Sequence, residues 1–148
     1  MKELTLRQIA GWCGGTVAPE YASIVVSGME SDSRKIEVGD LFVALRGERV
    51  DGFDFIPSAK TLGAAAALVS RETEELPCIL VPDTLKAYGA IARHYREETG
   101  VKVVGITGSV GKTTTKEMIA GVLARDFQLF KSEGNHNNDI GLPMTIMD

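Results

Sequence analysis

The sequence predicts an α/β protein in two units: a small mixed unit over residues 1–82 and, over 83–148, the beginning of a parallel-sheet unit built around a glycine-rich loop. Three observations carry this. Apolar runs of strand length alternate along the chain with segments of helical period. One such run, Val103, Val104 and Ile106, is interrupted by Gly105, Gly108 and Gly111 and passes at Lys112 into a helical pattern. With 148 residues, 44% hydrophobic content and a formal net charge of −4, the chain also has the composition of a globular protein with a sizeable core.

Taken in order, Leu4 to Trp12 reads as a short helix, with Thr5 as N-cap, Leu6, Ile9 and Ala10 facing inward, Cys13 in the core and Gly14-Gly15 as the stop. A strand around Ile24 to Val26 precedes Ser31-Asp32-Ser33-Arg34, and Gly39-Asp40 turns into a strand at Leu41 to Leu45. Asp54 to Thr61 is a helix closed by Gly63, followed by strands at Ala65 to Ser70 and Cys78 to Val81; the acidic residues between Glu72 and Glu75 read as a solvated loop. Pro82-Asp83-Thr84 marks the unit boundary, because Asp83 or Thr84 can cap a helix whose stripe is Leu85, Tyr88, Ile91, Ala92 and Tyr95 and which ends at Gly100. His94 lies beside that stripe with no second ligand at its spacing, so it reads as a surface or interface histidine. The chain then enters a strand at Val101 to Ile106, the glycine loop, a helix with Met118, Ile119, Val122 and Leu123 on one stripe, and a strand at Phe127 to Phe130. That order makes a parallel sheet.

The loop T-G-S-V-G-K-T-T, Thr107 to Thr114, carries the chemistry. Opening a helix, it aims backbone N–H groups and the positive end of the helix dipole at one spot, and Lys112 adds a mobile charge, so a polyphosphate is the natural ligand. Gly108, Ser109, Val110, Gly111, Lys112, Thr113 and Thr114 form this candidate site, and the Thr113 hydroxyl stands where it would ligate magnesium. Ile106 occupies the place of the first glycine in G-x-x-x-x-G-K-[ST], with Gly105 one residue too early. A glycine-rich connection with a solvated lysine is the alternative, and it leaves the run of hydroxyls unexplained. Farther on, Asn135, His136, Asn137 and Asn138 form either an Asn-rich turn or a set of neutral groups able to hold a carboxylate or peptide.

The segments T-G-S-V-G-K-T-T-T-K-E at Thr107 to Glu117 and G-N-H-N-N-D-I-G-L-P at Gly134 to Pro143 resemble the ATP-dependent Mur ligases of peptidoglycan synthesis, a resemblance that spans the chain; the shifted loop spacing is that family's own. It implies ATP and Mg2+ as cofactors, Lys112 as the catalytic residue of the loop, Thr113 as a metal ligand, and Asn137 and Asn138 on the substrate side of the cleft. It also implies that Ser33 and the segment Glu48, Arg49, Val50 contact the uridine and pyrophosphate end of a UDP-sugar peptide. The chemistry permits this, since a Ser hydroxyl can read a uracil edge and Arg can meet a phosphate. Spacing alone instead favours local pairing of Asp32 with Arg34 and a simple turn at Asp51-Gly52. Where the family often has histidine in the D-G-x-D-F segment, this chain has Phe53, which reads as a packing residue.

Within the family, the N-H-N-N-D-I-G-L-P segment most resembles the branch that joins D-alanyl-D-alanine to UDP-MurNAc-tripeptide through an acyl phosphate. The branch that adds a single amino acid shares the N-terminal layout, and no residue here reads either choice directly. From other classes, the alternatives are a noncatalytic UDP-sugar or nucleotide-binding module and a phosphate-loop kinase; the lack of an obvious lid or acceptor base disfavours the kinase. The absence of a basic run, together with few aromatics, argues against nucleic-acid binding. Cys13 and Cys78 lack C-x-x-C spacing and the start lacks a signal-peptide pattern, which fits a reducing cytoplasm. The longest small-apolar run, Ala64 to Val69, is far below the ~20 residues that cross a bilayer. Mur ligases continue with more sheet, an acidic magnesium ligand and a carbamylated lysine. The chain is therefore expected to be a fragment without ligase activity, whose uncovered strand edge and helix face predict mobility or self-association.

Overall fold

Every residue of the strands Asp40–Val43 and Ala66–Val69 is buried, so both need a layer on each face. The computed structural model of the chain, which describes residues 1–47, 49–132 and 138–147, supplies those layers. Its elements in order are β1 (Leu4–Thr5), α1 (Leu6–Cys13), β2 (Thr16–Val17), β3 (Val25–Val26), β4 (Gly28–Glu30), β5 (Asp40–Val43), α2 (Ile56–Leu62), β6 (Ala66–Val69), β7 (Cys78–Leu80), α3 (Thr84–Thr99), α4 (Lys112–Leu123) and α5 (Gly141–Met147). The main sheet has the order β2-β7-β6-β5-β4, in which β4, β5, β6 and β7 are parallel and β2 runs antiparallel to β7 at one edge. β1 and β3 form a separate antiparallel pair.

Alternation along the strands sorts the core into two layers. Leu41, Val43, Ala66, Leu68 and Ile79 meet Leu6 and Ile9 of α1 and Tyr88 and Ile91 of α3. Phe42, Ala67 and Val69 meet Ile56 and Ala59 of α2 on the opposite face. Helix α1 starts where expected, because Thr5 and Gln8 form a capping box: the Thr5 hydroxyl accepts from the Gln8 N–H at 3.3 Å, and the Gln8 side-chain Oε1 accepts from the Thr5 N–H at 3.0 Å. Asp83 caps α3 by accepting from the Lys86 N–H at 3.0 Å. His94 is an interface histidine, stacked on Trp12 of α1 with ring centroids 6.2 Å apart.

Several expectations are corrected. Val101 to Ile106 and Phe127 to Phe130 form no strands: a strand exists through its ladder, and no described segment pairs with either. Val103 and Val104 are 55% and 61% exposed, and Met118 and Val122 of α4 are exposed as well. The parallel sheet is built from β4, β5, β6 and β7 instead. Leu85 sits on the solvent side of α3, and Thr84 and Ala87 take the buried places beside Tyr88. Cys13 is half-buried at the rim of the core, where burial pushes its thiol pKa up. The stripe of helix α3 packs into the same core layer as α1, and α5 lies against α3 with Met147 buried in that layer.

Ile91→Ala is expected to lower the unfolding free energy by about 2–5 kcal/mol in urea titration, because it empties a fully buried site between α3 and the sheet. A loss below about 1 kcal/mol would mean that α3 rests on this unit without belonging to its core.

Candidate functional site

Parallel strands place their following loops on one edge, and that edge gathers the polar groups that the doubly buried strands cannot carry. After β4, Glu30 Oε1 accepts from the backbone N–H groups of Ser31 and Asp32 at 2.7 and 2.9 Å, which turns the chain. Asp32 then holds Arg34 in a two-pronged pair, its Oδ1 accepting from Nε at 2.9 Å and its Oδ2 from Nη2 at 2.7 Å. The Arg34 hydrogen bonds draw the Asp32 pKa down to about 2 and raise that of the Arg34 guanidinium. Local pairing, favoured by spacing, is therefore what this turn does, and Ser33 stands half-exposed at its apex.

After β5 the chain makes a narrow loop. An antiparallel bridge joins Arg46 to Asp51, the Gly47 N–H donates to Val50 O at 2.9 Å, and the Gly52 N–H donates to Leu45 O at 2.8 Å. Gly52 is obligatory there, because a Cβ would come within 2.6 Å of Leu45 O. Arg49 and Val50 project into solvent at the tip; Glu48 lies outside the described residues. Phe53 packs as expected, against the α2 layer, and the Arg71 guanidinium lies 4.0 Å from its ring centroid. Sequence reading missed Arg71, although its position two residues beyond β6, at a strand end, was the signal that could have found it.

The phosphate loop has the expected local form. Gly111 caps α4 in the left-handed conformation, φ 79°, a geometry that side chains rarely adopt. Lys112 begins the helix and its Nζ donates to the Gly108 carbonyl at 2.5 Å, inside the loop. Thr113 and Thr114 lie exposed in the first turn, which contains no acidic residue to cancel the positive end of the dipole. Behind it, Glu117 pairs with Lys131, and the Lys116 ammonium donates to Ser132 O at 2.6 Å, tying the following segment to α4. These residues fit a polyphosphate. For magnesium they offer the Thr113 hydroxyl, and the described residues contain no group of three or more His, Cys, Asp or Glu able to hold a metal ion. Among the described residues the metal set is thus incomplete.

Asn138 serves α5: its side-chain oxygen accepts from the N–H groups of Ile140 and Gly141 at 3.2 and 2.7 Å. Asn137 lies outside the described residues, with residues 133–136. An open cleft of about 560 Å³ on the β2–β7 side, bordered by Val17, Tyr21, Glu74 and Cys78, contains none of the sequence-predicted site residues. Among the described residues no helix is long and apolar enough to cross a membrane.

A lysine-bearing glycine loop that opens a helix, on an α/β scaffold with polar strand ends, defines a phosphate-loop α/β protein. The chain belongs to the Mur ligase family: residues 25–107 match its "Mur ligase family, catalytic domain" model and residues 106–148 match its "Mur ligase middle domain" model. It is 44% identical over 152 residues to the UDP-N-acetylmuramoyl-tripeptide--D-alanyl-D-alanine ligase of Bacillus subtilis (strain 168), covering 99% of this chain and 33% of that protein. To the enzyme of the same name from Escherichia coli (strain K12) it is 43% identical, covering 99% of this chain and 32% of that one. A crystal structure of MurF from Acinetobacter baumannii superposes with TM-score 0.91 at 35% identity, over 99% of this chain and 33% of its own. The MurF ligase of Thermotoga maritima in complex with ADP gives TM-score 0.74 at 37% identity, over 83% and 29%. The chain thus spans about a third of the length of the relatives it matches.

The Asp32 shift has a testable consequence. Its pKa in the folded chain lies below the ordinary carboxylate value, so the pair contributes fully above about pH 4 and is lost as pH falls toward 2. The Arg34 side-chain Nε–H signal in NMR should hold its position from neutral pH to about pH 4 and move toward the free-arginine value below it; a transition centred at about pH 4 would show that the pair is not formed.

Proposed function

We propose that this chain contributes the UDP-substrate unit and the start of the ATP-binding unit of a cytoplasmic, ATP-dependent ligase that joins D-alanyl-D-alanine to UDP-MurNAc-tripeptide in peptidoglycan synthesis. The observation that carries the proposal is the Gly108–Thr114 loop, with its left-handed Gly111 and its lysine at a helix start free of acidic residues. The names of the relatives and the ADP in the Thermotoga maritima complex support the reading.

The division into residues 1–82 and 83–148 is part of the proposal, with α3 as the element shared by the two. In the first unit, Ser33 at the β4 end and Glu48, Arg49 and Val50 at the β5 end take the uridine and pyrophosphate. In the second, the amides of Gly108 to Thr114 and the Lys112 ammonium hold the ATP phosphates, and Lys112 exchanges the Gly108 carbonyl for a phosphate oxygen. Charge neutralisation there lets a substrate carboxylate oxygen attack the γ-phosphorus as the bond to the β–γ bridging oxygen breaks and ADP leaves; the amine then attacks the carbonyl carbon of the acyl phosphate, and an amide forms as phosphate leaves and the amine's proton passes to solvent. Asn137 and Asn138 belong to the carboxylate side, and Thr113 contributes a hydroxyl to a magnesium shell completed elsewhere. The exposed apolar faces at Val103, Val104, Met118 and Val122 are surfaces for the remaining sheet of such a domain, or for self-association of the short chain.

Phosphate release from ATP in the presence of UDP-MurNAc-tripeptide and D-alanyl-D-alanine tests this. Lys112→Ala in the complete ligase is expected to cut turnover by about 10²–10³-fold with an unchanged melting temperature, and the 148-residue chain alone should show no turnover. Turnover retained by Lys112→Ala would remove ATP chemistry from this loop.

A further inference from the structure

We propose that Arg71 is a positioning residue for the Arg46–Gly52 loop, locking the loop's exit so that its tip is presented to the nucleotide in one orientation; this rests on the reading of that loop given above. Arg71 leaves the end of β6, and the loop leaves the end of its parallel neighbour β5, so the two emerge side by side. Three of the four residues at the loop exit bear on this one guanidinium. Its Nη1 lies 3.2 Å from Asp51 Oδ2, its Nη2 lies 3.9 Å from Asp54 Oδ1, and its central carbon lies 4.0 Å from the Phe53 ring centroid.

These contacts form a chain rather than three separate pairs. Asp51 Oδ1 also accepts from the Phe53 N–H at 3.0 Å, and the Asp51 backbone forms the bridge to Arg46 that closes the loop. Phe53 in turn packs against the α2 layer of the core, so the guanidinium is held to a fixed platform. Closed by the Gly52-to-Leu45 and Gly47-to-Val50 hydrogen bonds, the stem passes that orientation to Arg49 and Val50.

The chemistry asks for arginine. A planar guanidinium offers edge donors to Asp51 and Asp54 while its face covers Phe53; a lysine ammonium supplies the charge without the plane or the fork. The Arg71 and Asp54 side chains are more than half exposed, so the ion pairs themselves add little to global stability. Removing them should release the loop without unfolding the protein, and the loss should fall on ligand affinity.

The experiment is an NMR titration of the 148-residue chain with UDP, for wild type, Arg71→Met, Arg71→Lys, Phe53→Leu and Phe53→Tyr, with urea midpoints measured in parallel. Wild type should show shifts at Ser33, Arg49 and Val50. Both Arg71 variants and Phe53→Leu should weaken UDP on the order of five- to tenfold, and Phe53→Tyr should keep wild-type affinity. In the unliganded Arg71 variants the amide signals of Gly47, Val50 and Gly52 should move or multiply at an unchanged urea midpoint. Should Arg71→Met not fold, Arg71→Lys and the Phe53 pair decide the question. Affinities within about twofold of wild type, with loop amides unmoved, would overturn the positioning role and leave the UDP reading standing. Absence of UDP shifts in the wild-type loop would overturn that reading and the positioning role with it.

Discussion

Two adjacent strands buried on both faces constrain the rest of this molecule. Between α1 and α3 on one side and α2 on the other, β5 and β6 have no solvent-facing side for a charge, and burying an unpaired one would cost several kcal/mol. Asp40, the buried acid of β5, meets the condition at the strand's start, its Oδ2 accepting from the Glu37 N–H at 2.8 Å. The remaining polar chemistry is displaced to the strand ends. Because β4, β5 and β6 are parallel, the Asp32–Arg34 turn, the Arg46–Gly52 loop and Arg71 emerge along a single edge. A surface able to recognise a charged, hydrogen-bonding ligand thus follows from the requirement to keep the sheet dry.

The phosphate loop obeys a different local logic. Its form needs only a left-handed glycine and a helix start, so it is present although the segment before it has no ladder partner among the described residues. Lys112 donates to the loop's own Gly108 carbonyl, which keeps the ammonium inside the loop. In the proposed reaction this places the positive groups before the nucleotide arrives, so that little reorganisation accompanies binding.

What was legible in the sequence was what local chemistry decides. Thr5 and Asp83 announced helix starts, Gly14, Gly63 and Gly100 announced stops, and the apolar runs at Leu41 and Ala65 announced strands. Gly111-Lys112 announced the loop for the same reason, since a glycine cap and a lysine act within one turn. The failures are all nonlocal. Val101 to Ile106 has strand composition, yet strand formation depends on a partner that composition cannot supply. Leu85 fits the α3 stripe by period, but the direction in which α3 meets the sheet chose Thr84 and Ala87 instead. Arg71 carries no motif at all; its importance arises from β6 lying beside β5. Asn138, proposed for the carboxylate side, also caps α5 through a local bond that its place in a run of asparagines obscured.

The central claim is that one chain presents two separate anion sites, a strand-end edge for a uridine nucleotide and a helix-start loop for the phosphates of ATP. Amide hydrogen exchange, recorded with saturating UDP and separately with saturating ADP, tests it most directly. UDP should slow exchange in 31–34 and 46–52, and ADP in 108–114, each leaving the other region unchanged. Protection by UDP confined to 108–114, or none by ADP in that loop, would contradict it.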